Sequence, residues 1–390
     1  DARALEEALR APACPDAALP DDGTTALLLA CWHGQLEMCQ CLLEAGASLN
    51  QARHDGTAPL FMAAQQGHLE VVGYLCEARA DQDRATHDGT SPLFMASQNG
   101  HCGVVRCLCE AGAGKDRRTQ DGKTPLLVAS DLGHLEVVRC LCDAGADRGV
   151  RAQDGTSPLF AASQHGHLEV VAHLHETGDG VDQATHSGAT PLFIAAQEGS
   201  AEVVGYLAEA EADVGRALQD GTTPLIIASL GGHLQVVRCL CRLGADRDGA
   251  MLDGATPLFI AAQEGHLEVV RCLLEAKADR DRPMLIGSTP LSIAAEEGHL
   301  AVLRQLCSAR ADLEKAICEG CDGVAEMWHG ATPLMVAVYA GHLGAVQGLL
   351  AAGASVDGAT CKGETALSIA LHLGRGDMAA ALSMGSALAG

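Results

Sequence analysis

One short unit is written eleven times in this chain, and that repetition rules out most folds. The stretches DGTAPLFMAAQQGHLEVVGYLCEARADQDRATH and DGTSPLFMASQNGHCGVVRCLCEAGAGKDRRTQ follow one another without a gap from Asp55 to Gln120. A proline marks the register: Pro59, Pro92, Pro125, Pro158, Pro191, Pro224, Pro257 and Pro290 recur at one constant interval of about 33 residues. Ala26 holds that place one period earlier, Pro333 follows a ten-residue insertion, and Ala366 comes one period after it. A period of this length, with a turn and two short helices per unit, specifies a solenoid in which each unit packs only on its neighbours.

Within a unit the order of residues predicts the order of elements. A Gly, usually preceded by Asp as in Asp88-Gly89 and Asp253-Gly254, opens the unit with a tight turn. Thr or Ser followed by Pro, as in Thr124-Pro125, supplies a hydroxyl cap and a first-turn proline for a short helix. A second Gly eight residues after the Pro, for example Gly133 or Gly265, ends that helix. A second helix of the type HLEVVRCLCEAGA follows, with Val137, Val138 and Leu141 on its buried face. A loop rich in Asp and Arg leads to the next turn.

Composition narrows the function classes. Apolar residues make up 48% of the chain but aromatics only 3%, which suits thin layers of Ala, Leu, Val, Ile and Cys. The net charge of −24 excludes phosphate neutralisation by clustered Lys and Arg, so no nucleic-acid partner is expected, nor direct contact with an anionic membrane. The 17 cysteines do not read as a disulfide framework. Pairs such as Cys107/Cys109 and Cys140/Cys142 point about 200° apart on a helix, so their members cannot bridge each other. So many free thiols imply a reducing, intracellular and cytoplasmic setting. There is no bilayer-length apolar run and no signal-peptide pattern. The chain opens on Asp1 rather than Met, and we read it as a piece of something longer.

The pattern D-G-x-T-P-L-x-x-A-A-x-x-G-H-L-E-V-V-x-x-L-x-E-A-G-A-D stands nearly whole from Asp253 to Asp279, and it closely resembles the ankyrin repeat family. The resemblance implies an all-α ankyrin-type solenoid of about eleven helix-turn-helix units with β-turn/hairpin loops. It divides the chain into a half-repeat cap at residues 1–21, repeats 1–10 at residues 22–361, and a C-terminal repeat and cap at residues 362–390. The insertion at 319–328 falls between repeats 9 and 10. Residues 4–11 match the second helix of a half unit. Stacking at roughly one helix diameter per repeat implies a curved rod about 110 Å long, with turns and first helices on the concave side.

Two departures from the family pattern bear on how repeats join. The histidine of its T-P-L-H run is replaced by Phe61, Phe94, Phe160, Phe193 and Phe259, or by Leu, Ile, Met or Ser, so apolar stacking is expected in place of a hydrogen-bond ladder. The usual loop Asn is missing except at Asn50, where others have Asp83 or Asp116.

The family's use of its concave face makes another protein the expected partner, bound by a monomeric chain. The lining should come from the two residues after the Ala-Ala or Ala-Ser of each first helix. These are Trp32-His33, Gln65-Gln66, Gln98-Asn99, Asp131-Leu132, Gln164-His165, Gln197-Glu198, Leu230-Gly231, Gln263-Glu264, Glu296-Glu297 and Tyr339-Ala340. The stripe turns from neutral amide to acid towards the C-terminus, which points to a partner segment with basic groups near Gln263 to Glu297; the bland alternative is an ordinary solvated face.

Other candidates carry less. The recurrent His68, His101, His134, His167, His233, His266, His299 and His342 read as a structural position rather than a metal row. His173 and His175 do not share a helix face, so they make a poor metal pair. Cys318, Cys321, His329 and Cys361 offer zinc-ligand types around the insertion, but zinc ribbons use two tight pairs and only one exists, so no metal is assigned. Met327 and Trp328 could instead form a local binding knob. No phosphate loop, nucleophile elbow or metalloprotease motif is present, and neither a catalytic residue nor a cofactor is expected. The leading reading is therefore a non-enzymatic scaffold or adaptor. Its alternative is the substrate-targeting arm of a larger enzyme, of kinase or ubiquitin-ligase type, whose catalytic domain lies outside this chain; a membrane-associated cytoskeletal adaptor or channel tail is a weaker third.

Overall fold

The computed structural model describes residues 14–317 and 329–389. The expected cap at 4–11, and Cys318, Cys321, Met327 and Trp328 of the insertion, lie outside the described residues. The described residues form 22 helices in eleven pairs, joined by turns and carrying no β-strand. The chain divides into two compact units: Asp1–His186 holds five helix pairs and Ser187–Gly390 holds six.

The local signals act as their chemistry requires. In ten of the pairs, the residue before the first helix is a Thr or Ser whose hydroxyl accepts the backbone N–H three residues on. Ser91 accepts from Phe94 at 3.1 Å and Thr256 from Phe259 at 3.2 Å. In repeats 9 and 11 a serine at the third helical position answers back, and Thr289 with Ser292, and Thr365 with Ser368, close capping boxes. The exception is Ala58, which begins its helix at Pro59 with no side-chain cap. The serines buried inside the layers are also satisfied. Ser97, Ser130, Ser163 and Ser229, fully buried where other repeats have Ala, each donate to the carbonyl four residues back at 2.7–2.8 Å.

The second helices bury Val-Val-x-x-Leu as the spacing predicts: Val137, Val138 and Leu141 are at most 1% exposed in Asp1–His186, as are Val269, Val270 and Leu273 in Ser187–Gly390. The phenylalanines in the family's histidine position are buried too, from Phe94 at 7% to Phe259 at 3%.

Hairpin tips join neighbouring repeats through the backbone. In Asp1–His186 the tip residues His54, His87, Gln120, Gln153 and His186 each donate N–H to the carbonyl of the turn Asp one repeat earlier, at 2.9–3.1 Å. In Ser187–Gly390 Leu252 and Leu285 do the same to Asp220 and Asp253, at 2.9 and 2.8 Å. The loop position where only Asn50 keeps the family residue adds a second link. The Asn50 side-chain oxygen accepts the N–H of Asp81 at 2.9 Å, and Asp83 and Asp116 accept from Gly114 and Asp147 at 2.8 Å. Asp248 and Asp281 repeat this bond towards Asp279 and Asp312. A carboxylate oxygen and an amide oxygen are equivalent acceptors here, so the Asp-for-Asn exchange leaves the loop geometry intact.

One residue breaks the layer rule. Asp179 stands where other repeats bury Ala80, Ala113, Ala146 and Ala245, and its Oδ2 is buried without a hydrogen-bond partner. Burial pushes its carboxyl up to about 6, against the opposing pull of Arg148 and with a further push from Asp147.

Two outcomes test these local features. Ala58→Ser should install the missing cap and raise stability by about 1 kcal/mol, read as a higher urea midpoint at unchanged slope. Asp179→Ala should stabilise the protein at pH 7. The folded-state carboxyl binds its proton more tightly than an unfolded Asp near 3.9, so ionisation costs stability as pH rises through about 6. Discounted for partial exposure, the gain is about 1 kcal/mol at pH 7, and it should shrink on acidification and vanish below about pH 4 in urea titrations run across pH.

Candidate functional site

The two-residue positions after Ala-Ala or Ala-Ser fall at the C-terminal end of each first helix. Gln98, Gln164, Gln263 and Glu296 are last helical residues, with Asn99, His165, Glu264 and Glu297 as their C-caps. Trp32 with His33 and Gln197 with Glu198 repeat this arrangement, whereas Gln65-Gln66 and Tyr339 lie within the last turn of slightly longer helices. None of these side chains is buried.

What holds seven of these positions is a histidine of the following repeat, a place that Ser200 takes in one repeat. In Asp1–His186 the Nε2 atoms of His68, His101, His134 and His167 lie 2.9–3.1 Å from the carbonyl oxygens of Trp32, Gln65, Gln98 and Asp131. In Ser187–Gly390 His233, His266 and His299 meet the carbonyls of Gln197, Leu230 and Gln263 at 2.8–3.0 Å. A carbonyl only accepts, so Nε2 carries the proton and donates. The last repeat has no histidine there, and the Arg375 guanidinium donates to the Val338 carbonyl at 2.9 Å instead. The expectation that apolar stacking replaces a hydrogen-bond ladder is therefore corrected. The phenylalanines are buried, but a ladder is present as well, moved from the first helix to the start of the second.

The helix-ending glycine makes room for that ring. Gly133 has φ +73°, and a Cβ added there would lie 2.6 Å from His167 Nδ1; at Gly265, with φ +76°, it would lie 2.7 Å from the His299 ring. Both the left-handed backbone and the close approach demand Gly. The recurrent Gly-His pair is thus one device, with the Gly of one repeat under the His of the next.

The row differs in character between the two units. In Asp1–His186 it is neutral or locally paired: Asn99 Nδ2 donates to the Gln65 carbonyl at 2.8 Å, and His165 Nε2 lies 3.1 Å from Asp131 Oδ1. In Ser187–Gly390 it becomes acidic. Glu198, Glu264, Glu296 and Glu297 are exposed, and the Glu296 carboxyl is pushed up by partial burial and then by the charge of Glu297 beside it. A carboxylate at a helix C-terminus faces the negative end of the helix dipole, at a cost of about 0.3–1 kcal/mol. The described row also continues one repeat further than the stripe drawn from sequence, to His372 and its C-cap Leu373, with Leu373 44% exposed. Register alone would have found this pair.

Four of the described thiols are held in the protonated form by burial. Burial pushes Cys76 up to about 12 and Cys109, Cys142 and Cys241 up to about 11. Thiols so shifted are protonated at neutral pH and are poor nucleophiles. Cys31 and Cys39, with sulfurs 3.7 Å apart, share a buried contact between the two helices of repeat 1. Among the described residues no group of three or more His, Cys, Asp or Glu is placed to hold a metal, and no helix is long and apolar enough to cross a membrane.

The family model described as ankyrin repeats (3 copies) matches residues 3–86, 78–152, 144–217, 210–284, 243–317 and 313–387. Among solved structures the chain is similar to the crystal structure of the human ASB11 ankyrin repeat domain. The two share 28% sequence identity and a TM-score of 0.52, over 56% of this chain and 97% of that one. No curated protein matches the chain in sequence.

His299→Ala tests the anchoring of the row. It strands the Gln263 carbonyl and should lower stability by about 1–3 kcal/mol in urea unfolding.

Proposed function

The chain belongs to the ankyrin repeat family, whose repeats are generally protein-interaction modules, and we propose that it binds a partner protein through the row of first-helix ends. The partner segment carries basic groups and engages the stretch from Gln263 to Glu297. The observation that supports this most directly is the placing of Glu264, Glu296 and Glu297. Three exposed acids sit at or beside helix C-termini, two of them adjacent in sequence, and no cation among the described residues is bonded to their side chains. Each is unfavourable in the free protein and becomes favourable when a Lys or Arg arrives. Their backbone does not need to move to receive it, because the histidine ladder already holds the Gln263 carbonyl.

A scaffold of this kind acts by presenting residues rather than by chemistry. Repeats of this fold are typically non-catalytic, and the raised pKa of the buried thiols and the hydrogen-bonded role of the histidines suit a binding surface.

The test is affinity capture with the full chain as bait, beside a Glu264→Lys/Glu296→Lys/Glu297→Lys variant of equal urea midpoint. A protein that binds the native chain saturably and is lost by the variant supports the reading. Equal capture by both chains would remove the acidic row from the binding surface.

A further inference from the structure

Hairpin tips and first-helix floors line a common groove. In Asp1–His186 a cavity of about 340 Å³ is bounded by Thr86, His87 and Asp88 of one hairpin and by Phe61 and Met95 of two first helices. The tip residues in that unit are polar: His54, His87, Gln120 and Gln153. The same register in Ser187–Gly390 places Leu252 and Leu285 at the tips, 73% and 69% exposed, with Ile286 beside the second at 39%. These tips are direct neighbours, since Leu285 N–H donates to the Asp253 carbonyl at 2.8 Å. The floor position equivalent to Met95 is Ile260, half-buried. Exposed Leu in a turn does nothing for the turn itself, which favours Asp, Asn or Gly. Adjacent apolar tips over an apolar floor mark a contact surface.

The acidic helix ends belong to the same repeats. Glu264 caps the seven-residue helix Pro257–Gln263 that follows the Leu252 hairpin, and Glu296 ends the helix that follows Leu285. A helix of that length spans about 10 Å, so an apolar row and an acidic row run side by side at roughly that spacing.

We propose that this surface of Ser187–Gly390 docks a basic amphipathic helix of a partner protein. Its apolar stripe lies on Leu252, Leu285 and Ile260, and its Lys or Arg stripe meets Glu264, Glu296 and Glu297. A helix with its side chains is about 10–12 Å across, which fits the spacing of the two rows. The proposal rests on the reading of the helix ends as the partner surface and adds the partner's chemistry and secondary structure.

The test uses the full chain and a fluorescent 20-residue peptide with Leu on one helical stripe and Lys on the adjacent one. A scrambled peptide of the same composition is the control, and binding is read by anisotropy at two salt concentrations. The amphipathic peptide should bind saturably and the scrambled one far more weakly. Leu252→Gln/Leu285→Gln, which installs the tip residue of Gln120 and Gln153, should weaken binding at least about tenfold. Glu264→Gln/Glu296→Gln/Glu297→Gln should weaken it about fivefold and flatten its salt dependence. Gln120→Ala/Gln153→Ala should leave it unchanged. Unchanged urea midpoints show that each variant is folded.

Equal binding of the scrambled peptide would reduce the effect to charge and overturn the proposal. No effect of the leucine changes with a clear effect of the glutamate changes would also overturn it, while leaving the helix-end reading in place. Failure of both sets would remove both. Self-association of the native chain that Leu285→Gln abolishes would make a second copy the occupant, again overturning it.

Discussion

The joint between repeats depends on one imidazole. Each ladder histidine starts a second helix, reaches back across the glycine that ends the preceding first helix, and donates to a carbonyl there, as His299 does to Gln263 at 2.9 Å. Carbonyls at a helix C-terminus have no partner within their own helix. At each joint where the ladder histidine is bonded, it satisfies one of them and ties successive layers together in the same contact. The glycine is then required twice over, for its left-handed backbone and for the missing Cβ, and the layers of Val, Leu and Ala close around the result. Nearest-neighbour stability in such a chain is a property of this contact as much as of apolar burial.

The same bond shapes what the surface can do. It takes up the backbone of the first-helix ends and does not use their side chains, so the row can vary from Trp32 and Gln98 in one unit to Glu264 and Glu297 in the other without cost to the joint. A surface held rigid in this way binds with little ordering entropy, and its selectivity lies in which side chains each repeat presents. In Ser187–Gly390 those side chains are carboxylates on the helix ends and leucines on the hairpin tips.

Much of this was legible because repetition aligns the chain with itself. The turn glycines, the Thr-Pro starts, the Val-Val-x-x-Leu faces and the helix-end pairs each recur in register, so eleven imperfect signals add. The ladder was legible only in part. The histidines after the helix break stand out as a structural position, but nothing in one dimension shows that a residue 36 positions on returns over a glycine to a carbonyl. Loss of the family's usual histidine therefore looked like loss of the ladder itself. The loop Asp residues misled in a similar way: they look like a departure from Asn, yet the bond needs only an acceptor oxygen. Asp179 was hidden for the opposite reason. An acid beside a glycine reads as loop, and only burial shows that it fills the place of an alanine. The exposed tips Leu252 and Leu285 are legible only when tip residues are compared across repeats, which separates Leu from His and Gln.

Within Asp1–His186 the ring, the glycine under it and the tip amide recur at His68, His101, His134 and His167, so successive joints of that unit present nearly the same two faces. Within Asp1–His186, excising one period would bring together faces that already fit. Evolution of such a chain can therefore proceed by gaining and losing whole layers through unequal recombination. The length of the array is then a heritable variable, adjustable to the reach of whatever it holds and independent of the side chains that do the holding.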